Sequence, residues 1–246
     1  MEKTVICVVH LKPLPGSPLY ESFDEVIEKA LRDAKAIEEG GADALIVENF
    51  GDKPFLPCVG KETIASMAVV AWEIKKETNL GIGINVLRND AMASIAIAKA
   101  VKADFVRINQ FFFPSISPEG FLPGNAGKIL RYQKQINCRA MIFADVNVKH
   151  AVHFADLESY LLNAERSLAD AFIITGKATG LEVSIEALKK MRGIAPILAG
   201  SGVNAANAEK IAKHCDGVIV GSYIKTRGSV DAEKVRKIVS LVKRFN

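Results

Sequence analysis

The chain lacks any apolar stretch long enough to cross a bilayer. A membrane helix needs ~18–20 consecutive apolar residues, and charged side chains interrupt every such run in these 246 residues well short of that. Residues 1–12 lack the basic n-region, apolar h-region and small-residue cleavage site of a secretory leader. The expectation is a cytoplasmic protein with no integral membrane segment. Cysteine is scarce and scattered: Cys7, Cys58, Cys138 and Cys215 form no Cys-x-x-Cys pair and no zinc spacing. That excludes a disulfide scaffold or a zinc module, and it marks Cys7 and Cys138, in or beside apolar runs, as buried thiols. Charge of one sign is not concentrated anywhere. The 32 Lys and Arg against 28 Asp and Glu leave a net +4 spread along the chain, with no basic patch to suggest a nucleic-acid partner.

What is present is ordinary globular composition, 49% apolar and 24% charged, which excludes a disordered or collagen-like chain. Short β-branched apolar runs (residues 4–9, 44–48, 81–86, 104–109, 139–145, 171–175, 196–199 and 217–220) alternate with segments of helical period (23–39, 62–78, 91–102, 124–135, 157–168, 184–192, 205–214 and 232–244). Continuously apolar strands of this kind belong to parallel sheets covered on both faces. The first helix opens on Ser22 with Glu25 three residues later, a capping-box spacing. Each strand–helix unit takes about 31 residues, the length of a β/α repeat.

Asp43, Asp104, Asp170 and Asp216 each stand immediately before an even-numbered strand, an internal repeat that suggests quarter-like modules. They fall at the strand N-termini, the face of such barrels that serves stability. Strand-to-helix connections (10–21, 49–61, 110–123 and 221–230) are long, whereas helix-to-strand connections such as Gly40-Gly41-Ala42 are short. Long loops on the C-terminal side of the strands are where a (β/α)8 barrel keeps its site. An open doubly-wound sheet would need a Gly-x-Gly-x-x-Gly turn after strand one, and the sequence there is His10-Leu-Lys-Pro-Leu-Pro-Gly-Ser17. The expected fold is a single-domain (β/α)8 TIM barrel over residues 1–246.

Two constellations suggest chemistry. The first is the set of polar strand ends: His10, Glu48, Asn85, Arg107 with Asn109, Asp145 with Asn147 and Lys149, and Thr175. One polar residue where a chain meets solvent means little. Six successive strands ending so toward one mouth mean more, because buried ionisable groups cost several kcal/mol unless paired or used. The second is glycine-rich. Gly200-Ser201-Gly202 follows strand seven and Gly221-Ser222 follows strand eight, the loops that often build a phosphate site in barrels. Residues 222–226 have the length of the short extra helix found there, and Gly176 and Gly180 after strand six are placed to close a third side. No Walker register fits residues 175–180.

Longer strings carry a family resemblance across nearly the whole chain: Val9-His-Leu-Lys-Pro-Leu-Pro-Gly-Ser-Pro18, Val47-Glu-Asn-Phe-Gly-Asp-Lys-Pro-Phe55, Asn85-Val-Leu-Arg-Asn-Asp90, Ala144-Asp-Val-Asn-Val-Lys-His150, Gly200-Ser-Gly-Val-Asn204 and Asp216-Gly-Val-Ile-Val-Gly-Ser-Tyr-Ile-Lys225. In these the chain resembles the BtpA/SgcQ family. The resemblance implies a TIM barrel of the phosphate-binding, ribulose-phosphate-binding-barrel kind. The family's namesake is a cyanobacterial factor needed for photosystem I accumulation. The loop after strand four departs from the family's small Gly-containing turn: here Phe111-Phe112-Phe113 stand in a row, for rim packing or a subunit contact, which leaves a homo-oligomer open.

The expected function is an enzyme, of lyase or isomerase type, acting on a small phosphorylated metabolite such as a sugar phosphate. His10, Glu48, Asp145 and Lys149 are the candidate catalytic groups, and Asn85, Arg107, Asn109, Asn147, His150 and Thr175 the candidate substrate contacts. The phosphate falls to Gly176, Gly180, Gly200, Ser201, Gly202, Gly221 and Ser222. A desolvated Lys149 serves as base or Schiff-base nucleophile; beside Asp145 it stays charged and stabilises an oxyanion. No cofactor is expected. A divalent cation on His10, Glu48, Asp145 and His150 is the alternative, without HxH or HExxH spacing to support it. The competing function is a non-catalytic assembly or regulatory factor that keeps a phosphate-ligand site.

Overall fold

In a computed structural model that describes residues 3–176 and 181–245, eight parallel strands close into a barrel. The strands are β1 (Thr4–His10), β2 (Ala44–Glu48), β3 (Gly81–Asn85), β4 (Phe105–Ile108), β5 (Met141–Val146), β6 (Ala171–Ile174), β7 (Ile197–Ala199) and β8 (Gly217–Val220). Helices α1 (Phe23–Glu39), α2 (Lys61–Glu77), α3 (Ala91–Val101), α4 (Ala126–Gln135), α5 (Leu157–Ser167), α6 (Ile185–Met191), α7 (Ala208–Ala212) and α8 (Ala232–Val242) follow them in turn. Neighbours in the ring follow chain order, and β1 closes it by pairing with β8 as well as β2.

Alternation of side chains along each strand separates two cores. One set, including Val5, Cys7 and Val9 on β1, packs outward under the helices. The other fills the barrel: Ile6, Val8, Ala44, Ile46, Phe105, Ile173, Leu198 and Ile219, with Phe143 against them. Phe105 and Phe143 stack at 4.6 Å, and Gly83 makes room for them. A Cβ on Gly83 would lie 2.3 Å from the Phe105 ring.

The four repeated aspartates close the opposite end. Asp43, Asp104, Asp170 and Asp216 each accept a hydrogen bond through Oδ2 from the backbone N–H of Val5, Ile82, Ile142 and Ile197, at 2.8, 2.8, 2.7 and 2.8 Å. The same four aspartates donate their own N–H to the carbonyls of those residues at 2.8–3.0 Å. Each therefore joins an odd strand to the even strand that follows it.

Three features differ from expectation. Residues 222–226 form no helix; Lys225–Thr226 pairs with Ser229–Val230 as a hairpin, which Asp33 of α1 holds by accepting from Val230 N–H at 2.9 Å. The loops after β4 and β5 build a small antiparallel sheet of Gly120–Leu122, Ser115–Ser117 and Val152–His153, which no apolar period announces. At α1, Ser22 Oγ accepts from Glu25 N–H at 3.4 Å, while the Glu25 carboxylate pairs with Lys12. Phe111 is buried, and Phe112 and Phe113 pack on Tyr160 at 4.9 and 4.8 Å, so the three rings serve rim packing. Cys7 and Cys138 are buried as expected.

Candidate active site

The site follows from the strand period. Two residues on from the interior Val8, Ile46, Gly83, Phe105, Phe143, Ile173, Leu198 and Ile219 stand His10, Glu48, Asn85, Arg107, Asp145, Thr175, Gly200 and Gly221. The next inward layer is therefore polar on six strands and glycine on the last two. His10, Glu48 and Asn85 lie side by side in register across β1, β2 and β3. Above this layer opens a cavity of about 570 Å³, within the usual range for small-molecule sites. His10, Glu48, Arg107, Asn109, Lys149 and His150 line it together with residues 200–204 and 221–223. The two constellations thus share one space.

Asp145 lies beneath this space, 1% exposed, and does not line it. Its carboxylate accepts from Arg107 through both oxygens, Nε and Nη2 each at 3.1 Å, and from Asn109 Nδ2 at 2.7 Å. Asn85, also buried, donates to Asn109 Oδ1 at 3.1 Å and to the Arg107 carbonyl at 3.0 Å. Arg107 Nη1 stands 4.0 Å from Glu48 Oε2, and Glu48 Oε1 is 3.6 Å from His10 Nε2. A buried hydrogen-bond network thus runs from Asn85 to Arg107 and fixes the guanidinium at the cavity floor, with Glu48 and His10 in longer contact beyond it.

Burial holds His10 well below its usual 6.5, and the charges of Lys225, Lys149, Lys29 and Arg107 push the same way. A neutral imidazole therefore faces Glu48 near pH 7, and the 3.6 Å contact is not an ion pair. Its ring stacks on Phe50 at 4.2 Å. Lys149 is lowered too, by burial first and then by Arg107, against the opposing pull of Glu48 and Asp145.

The expected alignment of Asp145, Asn147 and Lys149 on one strand face does not occur. β5 ends at Val146, and Asn147 adopts φ 49°, which turns the chain. Lys149 reaches the cavity from the loop, whereas Asn147 and Thr175 do not line it; Thr175 Oγ1 donates to the Asn147 carbonyl at 3.2 Å. Ser201 Oγ accepts from Gly176 N–H at 2.6 Å and donates to the Leu181 carbonyl at 3.0 Å, so the hydroxyl ties the β6 and β7 loops together. Gly176 lies under that tie, and Gly180 falls outside the described residues. Gly202 has φ +68°, and a Cβ there would meet the Leu181 carbonyl at 2.4 Å. At Gly221 a Cβ would stand 3.4 Å from His10 Nε2, so this turn lies directly against the imidazole. Among the described residues no group of three or more His, Cys, Asp or Glu side chains converges as a metal ligand set.

Sequence reasoning missed several groups. Arg88 lines the cavity, 6% exposed, and donates from Nη2 to the Lys149 carbonyl at 2.9 Å. Lys53 lines it beside Phe50, with Nζ 4.2 Å from the ring centroid. Asn49 Oδ1 accepts from Leu87 N–H at 2.7 Å, and Asp52 Oδ1 accepts from Leu14 N–H at 2.7 Å. These two residues brace the β1 and β3 loops from the β2 loop. Their signal was the length of the strings around Glu48 and Asn85, which exceeds what a strand end needs.

The BtpA family model matches residues 1–244. An uncharacterized protein of Archaeoglobus fulgidus is 67% identical over 99% of this chain and 100% of its own. The photosystem I biogenesis protein BtpA of Synechocystis is 37% identical over 92% of this chain and 82% of its own. Among solved structures, N-(5'-phosphoribosyl)anthranilate isomerase of Pyrococcus furiosus superposes with a TM-score of 0.65 at 16% identity, covering 99% of this chain and 100% of that one. Thiamine phosphate pyrophosphorylase of the same organism gives 0.62 at 18% identity, covering 98% and 96%. At these identities the solved structures establish the fold.

Proposed function

The chain belongs to the BtpA family, and we propose that it is an enzyme of lyase or isomerase type acting on a small phosphorylated metabolite of sugar-phosphate size. The observation that carries this is the meeting of the Gly221 turn with His10 in the cavity that also holds Glu48, Arg107 and Lys149. Two barrels of the same fold have names with phosphorylated compounds in them, which supports the reading by analogy of fold.

In this reading the phosphate rests on the backbone of the Gly200–Gly202 and Gly221–Ser222 turns, and its binding energy orients the reacting carbons over the floor. Glu48 takes a proton from a carbon next to a carbonyl and returns it to the neighbouring carbon. Neutral His10 hands a proton between the two oxygens, and Lys149 with Arg107 offsets the charge of the enediolate that forms. Asp145 acts through Arg107 as a positioning residue. Asn109 and His150 border the substrate, and Asn85 acts from below through Asn109.

The test is a thermal-shift screen of phosphorylated metabolites, followed by turnover of each stabilising compound. Glu48→Gln and Lys149→Ala are expected to bind the hit and lose turnover. Full turnover in both variants overturns the roles, and a screen without a phosphorylated hit overturns the function. Stabilisation without turnover of any hit would favour a non-catalytic biogenesis role, which the name of the Synechocystis relative suggests.

A further inference from the structure

Resting on the reading of the β7 and β8 turns as a phosphate seat, we propose that the ligand carries a second anionic group, a carboxylate or another phosphate, bound by Arg88 at the opposite wall. In the closed ring β3 stands four strands from β7, half of the circle. Arg88 follows β3 and lines the cavity, so it faces the glycine turns across the floor formed by His10, Glu48 and Arg107.

Arg88 is built in rather than left on the surface. The residue is 6% exposed, and its Nε is buried without a hydrogen-bond partner among the described residues. A guanidinium carries five N–H donors in a fixed fork. Nη2 uses one of them on the Lys149 carbonyl. Glu119 Oε2 lies 3.5 Å from Nε and also accepts from Ser117 Oγ at 2.6 Å, so it offsets the charge without completing the fork. A buried donor without an acceptor destabilises the fold, a cost that a bound anion would remove.

The rest of the lining points the same way. Lys53, Arg88, Arg107 and Lys149 contribute cations to the wall, and Glu48 is the acidic side chain among the lining residues. Asp145 matches Arg107 from below. Neither Lys53 nor Lys149 is ion-paired among the described residues. An uncharged sugar hydroxyl tail would leave Lys53 and Lys149 unmatched and the Arg88 fork incomplete. A carboxylate or phosphate matches the planar fork in a two-point contact.

The experiment measures affinity by isothermal titration for three matched probe sets of three to seven carbons: sugar monophosphates with uncharged tails, phosphorylated sugar acids and sugar bisphosphates. The expected result is that one doubly anionic set binds about tenfold or more tighter than its uncharged-tailed counterpart. The tighter set also tells carboxylate from phosphate. In Arg88→Gln that advantage is expected to shrink to near unity while monophosphate affinity stays. Lys53→Gln, at an exposed position where folding is not at stake, is expected to reduce it in part. Equal affinities in the wild type, with monophosphates bound, overturn the second anion and leave the phosphate seat standing. An advantage kept in both variants overturns the role of Arg88. Absence of binding in all three sets overturns both readings together.

Discussion

Asp145 shows how much one buried side chain carries. Its two oxygens hold Arg107 and Asn109, with no water-exposed face left over. Removing one partner of a buried ion pair leaves the other charge uncompensated, which costs about 3–5 kcal/mol. Asp145→Asn is accordingly expected to lower the urea unfolding free energy by about that amount, and Asp145→Ala by no less. A loss under ~1 kcal/mol would mean that Arg107 finds another partner. Lys225 makes a different case. Its Nζ is buried without a hydrogen-bond partner among the described residues, and burial pulls it from 10.5 to about 8, with Lys29 adding to the shift and Glu48 opposing it. The unfolded chain keeps that proton up to 10.5, whereas the folded one releases it near 8. Between those values the unfolded state binds more protons, so this residue makes stability rise with pH. Below 8 both states are protonated and the penalty stands in full. Lys225→Met is expected to be more stable than the wild type at pH 7, with the difference shrinking as pH climbs from 8 to 10.5. Taking the difference between the two proteins cancels the buried thiol Cys215, whose raised value acts in the opposite sense above 9.0; Cys7 is coupled to Lys225 itself, so the comparison is read between pH 7 and 9.0. His10 and Glu48 were legible from the strand period alone. The submerged place of Asp145 was not, because it depends on how far the Arg107 side chain reaches across β4 and β5. Arg88 escaped for another reason: it stands past the strand end, where no period applies.

Among the elements, the strand–helix units and their order could be read because the strands are largely apolar on both faces and helices such as α1 and α8 on one. Helix α7 is shorter than its pattern over residues 205–214, since Asn204 and Asn207 divert the chain into a turn: Asn207 Oδ1 accepts from Asn204 N–H at 2.8 Å. The hairpin after β8 and the small sheet over the β4 and β5 loops went unseen, because pairs of two- and three-residue strands carry no period to detect. The aspartate repeat was visible, and the structure gives it a mechanical meaning. A charged acceptor on a backbone N–H is worth about 1.5–3 kcal/mol, and each of the four bonds joins one strand pair. Asp104→Ala, which frees Ile82 N–H between β3 and β4, is expected to cost about 1.5–3 kcal/mol by urea denaturation. The same substitution lies at the far end of the strands from the cavity and is expected to leave ligand affinity unchanged. Loss of binding in a folded Asp104→Ala protein would contradict that separation of the two ends.

At the scale of the whole molecule the barrel divides its work between two rims. One is tied by aspartates, and the other gathers cations and glycine turns around a cavity. A ligand that binds the folded state alone adds stability by mass action, about 2.7 kcal/mol at one hundred times its dissociation constant. For a chain of this size each kcal/mol moves the melting temperature by about 2–4 °C, so a saturating phosphorylated ligand is expected to raise Tm by about 5–10 °C. Of the cationic wall proposed to meet the anion, Lys53 is exposed while Arg88 and Arg107 are buried, so added salt screens the attraction in part. The Tm shift at fixed ligand concentration is therefore expected to shrink between low and high ionic strength. Gly202→Ala supplies the control at the seat itself. Its φ of +68° and the 2.4 Å approach to the Leu181 carbonyl force the β7 turn to move. That variant is expected to lose most of the ligand-induced shift, whereas Asp104→Ala keeps it even from a lower starting Tm. A full shift in Gly202→Ala, or one indifferent to salt, would place the phosphate away from the glycine turns and the cationic wall.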